Sequence, residues 1–156
     1  MFKFIASAAI VSLCVIASAT SGAAEAGLDA HARGQKTLDI ITGGNSAGAL
    51  ATVREMAPDL GDWITDFAYG QVVSRPQLEL KTRELATVAA LTALGNAGPQ
   101  LRAHIKGALN AGAKPEEVLE VVMQMAVYAG FPAALNGVTA VKDVFTERGI
   151  KPTSAH

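Results

Sequence analysis

Cysteine is almost missing from this chain: 156 residues contain one, Cys14, and it sits in an apolar leader. Removal of that leader leaves no thiol, which excludes a disulfide framework, a thiolate nucleophile, an iron–sulfur cluster and a cysteine zinc site. Aromatic residues amount to 5% of the chain, too few for an aromatic core. Charge of either sign is sparse and balanced, 13 Lys and Arg against 14 Asp and Glu, so there is no electrostatic footprint for nucleic acid. Histidine is scarce as well. Of three, His31 and His156 lie near the ends of the mature chain, and His104 alone falls inside a strongly patterned segment. With no His-Glu-x-x-His or paired-histidine spacing, the residues imply no metal site.

What the chain does have is apolar residues, half of the total, dominated by Ala, Leu and Val. That content offsets the ordering entropy of a single domain of this length and suits closely packed helices better than a sheet. The first residues read as an export signal. Lys3 supplies the positive start, Phe4 to Ile16 is an apolar run too short to span a bilayer, and small residues follow through Ala26. Cleavage is expected after Ala19 or, preferably, Ala24, leaving a periplasmic or secreted domain over 25–156 with no stable membrane span. No period-two alternation occurs afterwards, and the pattern predicts one all-α domain of about six or seven helices. These are Leu28 to Ile41, Ala47 to Met56, a segment opened by Pro58 with a stripe at Leu60, Trp63, Ile64, Phe67 and Ala68, then Leu80 to Leu94, Gln100 to Asn110, a helix from Pro115 to Tyr128, and Ala133 to Arg148. Val118 to Tyr128 is apolar on nearly every side, which predicts burial all round, partly against another subunit.

Two residues stand out as candidates for chemistry. His104 shares a helix face with Leu101, Ile105 and Ala108, which places an imidazole among apolar neighbours, as a catalyst or as a hydrogen-bonded core residue. Glu84 shares a face with Leu80, Val88 and Leu91, and reads either as a buried acid or as a first-turn glutamate supported by the helix dipole. Arg75, Lys81, Arg83 and Arg102 cluster along the same two helices. They either converge as a carboxylate clamp or are scattered surface charges. Trp63 and Tyr69 are expected in the core or on a pocket wall.

The blocks Phe67 to Pro76, Lys81-Thr82-Arg83-Glu84-Leu85, His104 to Gly112, Pro115 to Val118 and Gln124 to Ala134 together resemble the carboxymuconolactone decarboxylase family, over about residues 30 to 148. The resemblance implies an all-helical, alkylhydroperoxidase D-like fold assembled as trimers or hexamers, and one of two chemistries. Thiol peroxidation in the alkylhydroperoxidase D branch needs a Cys-x-x-Cys pair between the positions of Glu84 and His104. Here that interval holds Asn96-Ala97-Gly98-Pro99 and no sulfur, which argues against peroxidase or peroxiredoxin activity by that route. The other chemistry, decarboxylation of a small carboxylated lactone without a cofactor, requires an acid and nearby positive charge. By motif position the resemblance implies His104 as acid/base and Glu84 as its partner, with Arg75, Arg83, Tyr69 and Tyr128 as substrate-binding positions. A helical oligomer that binds a small carboxylated ligand without chemistry is the competing expectation.

Overall fold

The computed structural model describes residues 29–151, and within them the chain is all-α. The expected export signal, residues 1–24, lies outside the described residues. Helix α1 (Ala30–Thr42) starts where the Asp29 carboxylate accepts the Ala32 N–H at 2.7 Å, satisfying one of the orphan donors of the first turn, and it stops at Gly43 in the left-handed conformation. Helix α2 (Ser46–Met56) and the short α3 (Pro58–Asp62) follow. The chain then winds as a π-helix over Trp63–Val73, closed by the Ser74 N–H donating to the Tyr69 carbonyl five residues back at 3.0 Å. Four longer helices complete the domain: α4 (Leu80–Leu94), α5 (Gly98–Asn110), α6 (Pro115–Tyr128) and α7 (Phe131–Arg148). Proline opens α6, and the Glu117 carboxylate caps it by accepting the Lys114 N–H at 2.7 Å. That bond, together with the Lys81 ammonium at 3.1 Å, holds the Glu117 carboxyl below the usual carboxylate range.

Two apolar cores organise these helices. The larger is built by α4 to α7 around Val88, Ile105, Val118, Val122 and Val144, all fully buried. The smaller gathers Leu38, Ile41 and Leu50 from α1 and α2 against Ile64 and Tyr69 of the π-helix and Leu80. Helix α1 meets the π-helix backbone to backbone. A Cβ on Gly34 would overlap the Thr65 carbonyl oxygen, and one on Gly70 would overlap the Ala30 carbonyl oxygen, so only glycine fits at this crossing. Among the described residues no helix is long and apolar enough to cross a membrane.

One expectation about packing needs correction. The stripe Leu60, Trp63, Ile64, Phe67, Ala68 assumes α-helical winding. Of those positions Leu60, Trp63 and Phe67 are exposed while Ile64 and Ala68 line the main cavity, and Trp63, at 65% exposed, is neither in a core nor on that cavity's wall, whereas Tyr69 is on it. On this chain helix α6 packs one face against the larger core. Val118, Val122 and Met125 face the core, while Met123, Val127 and Tyr128 are exposed on this chain.

Candidate active site

Glu84 reaches the larger core from the second turn of α4 and is 1% exposed. A carboxylate buried that deeply needs a partner, and the one it has is histidine: His104 Nδ1 lies 2.8 Å from Glu84 Oε2. Space for the carboxylate comes from Gly107, three residues beyond His104 on the same helix face. A Cβ there would sit 2.6 Å from Glu84 Oε2, with Ile41 closing the other side at 3.4 Å. The pair is thus built from α4 and α5 and backed by α1. His104 Nε2 makes no hydrogen bond to the described residues.

That imidazole lines a cavity of about 620 Å³ between the two cores. Leu38, Ile41, Leu50 and Ile64 give it apolar walls, while Tyr69, Gln100, Lys106, Asn110 and Arg148 add polar groups. No carboxylate belongs to its lining, because Glu84 stays behind His104. Burial, and to a lesser extent the charge of Glu84, push the Tyr69 phenol from 10.0 up to about 12. The phenol therefore stays a hydrogen-bond donor throughout the neutral range. Because this folded value lies above the unfolded one, the contribution of Tyr69 to stability is complete below pH 10 and is lost as the pH rises towards 12. Alkaline difference spectrophotometry of the wild type against Tyr69→Phe is expected to show the missing phenol ionising near pH 12, and ionisation near pH 10 would refute this.

The structure brings His104, Glu84 and Tyr69 together and leaves the other candidate positions apart on this chain. Arg75 lies on a second, smaller cavity of about 200 Å³ with Arg33 and Lys36. Arg83 braces the turn before α4, donating to the Leu78 carbonyl at 3.1 Å and the Arg75 carbonyl at 3.0 Å. Lys81 pairs with Glu117, and Tyr128 is 77% exposed at the end of α6, on neither cavity. The cations on the main cavity are instead Lys106 and Arg148. Helical spacing offered a signal for part of this wall, since Gln100, Ala103, His104 and Asn110 fall on one face of α5. Arg148, 38 residues beyond Asn110 and joined to it only by the fold, had none.

An imidazole backed by a buried carboxylate, next to a neutral phenol in a largely apolar cavity of an all-α domain, is an arrangement chemically able to exchange protons. Comparison with known proteins places the fold among decarboxylases by family. Residues 58–143 match the carboxymuconolactone decarboxylase family. The chain is 36% identical to 4-carboxymuconolactone decarboxylase of Acinetobacter baylyi over 67% of its own length and 77% of the relative's. It is 31% identical to an uncharacterized 15.0 kDa protein of Paracoccus denitrificans, over 63% of this chain and 74% of that one. It is also 32% identical to nitrosuccinic acid decarboxylase of Metarhizium robertsii, over 54% and 58% of the two chains. The chain belongs to the carboxymuconolactone decarboxylase family, and its relatives named as decarboxylases support a decarboxylase role.

Proposed function

We propose that the protein is a cofactor-free carboxy-lyase that removes carbon dioxide from a small carboxylated lactone or a related acid. The observation that carries this reading is the His104–Glu84 pair, 2.8 Å apart, with its imidazole on the cavity wall and its carboxylate hidden behind. In the proposed reaction the bond between the carboxylate carbon and the ring breaks, carbon dioxide leaves, and the electron pair is delocalised into the conjugated lactone carbonyl as an enolate. The protonated His104 then delivers its Nε2 proton to carbon and regains one from water. Glu84 supports the charged imidazolium, and the Tyr69 phenol donates a hydrogen bond to the developing oxyanion. The apolar walls strengthen each of these interactions by excluding water.

The same proposal puts this activity in the periplasm or the exterior, supported by the export-signal pattern of residues 1–24. Self-association as a trimer or hexamer is part of the same proposal. It is supported by the exposed apolar side chains Val127, Tyr128, Phe131 and Leu135 at the junction of α6 and α7, which form more exposed apolar surface than a monomer needs. In such an assembly Arg75, Arg83 and Tyr128 remain available as contacts to substrate held by a neighbouring subunit.

The test is carbon dioxide release from 4-carboxymuconolactone by purified protein comprising residues 25–156, with His104→Gln alongside. Turnover is expected in the wild type and a loss of about 10²–10⁴-fold in the variant. Saturable binding without turnover in the wild type would refute the lyase reading in favour of a ligand-binding protein, and an unchanged rate in His104→Gln would remove His104 from the chemistry.

A further inference from the structure

The far end of the cavity from His104 carries charge that the proposed proton transfer does not use. Along α5, Asn110 lies six residues beyond His104, a rise of about 9 Å. There the Asn110 amide nitrogen donates to the Ile41 carbonyl at 2.7 Å, which fixes the amide plane, and its oxygen accepts from Arg148 Nη1 at 2.9 Å. Arg148 is thus held on the cavity rim by a neutral partner. The adjacent acid, Glu147, is hydrogen-bonded to the Lys106 ammonium at 2.7 Å, and that bond, with smaller contributions from the charges of Lys106 and Arg148, holds the Glu147 carboxyl below the usual range. Lys106, Glu147 and Arg148 together leave one net positive charge at this end, facing a lining without carboxylates. One arm of the guanidinium is committed to Asn110, leaving further N–H donors for a ligand. Arg148 also lies outside the family match, which covers residues 58–143, as do the cavity-lining residues of α1 and α2, which precede it.

We propose that Arg148, seated by Asn110, is the residue that anchors the substrate through the carboxylate it retains, while the carboxylate that is lost lies beside His104. This deepens the lyase reading and rests on it for the fate of the carboxylate beside His104, but the anchoring is measurable without turnover.

The probe is adipate compared with its monoamide, which has the same length and one charge fewer, titrated calorimetrically into wild type, Arg148→Gln, Arg148→Lys and His104→Gln. Adipate is expected to bind wild type about tenfold more tightly than the monoamide, as one charge-assisted pair implies. That margin should shrink to within about threefold in Arg148→Gln and recover in part in Arg148→Lys, while the monoamide, whose one carboxylate takes Arg148, should keep its affinity in His104→Gln. Arg148 is exposed, so melting temperatures are expected to stay level across its two variants. Affinities for both probes unchanged in Arg148→Gln, or a full margin in that variant, would overturn the proposal. Absence of carbon dioxide release with the margin intact would instead refute only the lyase reading. Where turnover is measured, Arg148→Gln should raise KM and leave kcat nearly unchanged, and a fall in kcat alone would count against an anchoring role.

Discussion

Glu84→Leu is expected to abolish most turnover while leaving the protein as stable as before, or more so. The Glu84 carboxyl is 1% exposed, so folding strips it of water and recovers the cost only through His104. Leucine is of comparable volume, fits the apolar surroundings of Val88 and Ile41, and removes the desolvated acid. His104 keeps some access to solvent and can replace its lost partner with water. The catalytic effect runs the other way. Without Glu84 the imidazole loses the group that fixes its orientation and supports its positive form, which is expected to lower kcat by about 10²–10⁴-fold. Thermal melting and steady-state kinetics on the same preparation check both halves. A marked fall in melting temperature would mean that the pair serves the fold, and full activity would dissociate Glu84 from the reaction.

Gly34→Ala or Gly70→Ala is expected to give the largest loss of stability of any conservative change in the chain. The added methyl group would meet a backbone carbonyl in either case, that of Thr65 or of Ala30, with no flexible side chain able to move aside. Relief requires α1 to separate from the π-helix, and with it the packing of Leu38 and Ile41 against Ile64 and Tyr69. Overpacking of this kind costs about 3 kcal/mol or more. For a domain of this size that corresponds to a melting temperature lower by roughly 10 °C. Chemical denaturation and scanning calorimetry would measure it. Alanine at Gly44, whose Cβ position has nothing within 4 Å, makes a useful contrast because its cost is restricted to the left-handed backbone. A shift at Gly34 no larger than at Gly44 would show that the crossing yields easily.

Much of the helical framework is readable from local chemistry. Pro58, Pro99 and Pro115 stand at helix starts, and Gly43, Gly95 and Gly149 stop three helices in the left-handed conformation, so those ends are written in single residues. Glu84 and His104 were legible for a related reason: each is a polar residue at an apolar position of its own helix, a conflict that burial resolves only by pairing. The π-helix was not legible, because winding at five residues per hydrogen bond has no distinct apolar signature, and the α-helical reading sent Trp63 to the wrong surface. Arg148 escaped because its role depends on α7 ending beside α5, a tertiary fact. Arg75 and Arg83 show the converse, since proximity in sequence to Glu84 does not carry them to the same cavity.

The winding of Trp63–Val73 also bears on how such a site tolerates insertions and deletions. A π-helical stretch stores surplus residues in the same axial length, so it behaves as slack in the chain. Deleting one residue there would let the backbone relax toward α-helical winding without shortening the link between α3 and α4 by much. The same relaxation would turn Tyr69 about the helix axis and swing its phenol away from His104. Chain length in this segment is therefore a dial on the orientation of one hydroxyl group, and two homologues differing by a single residue here could share a fold and a histidine yet present different donors to their substrates.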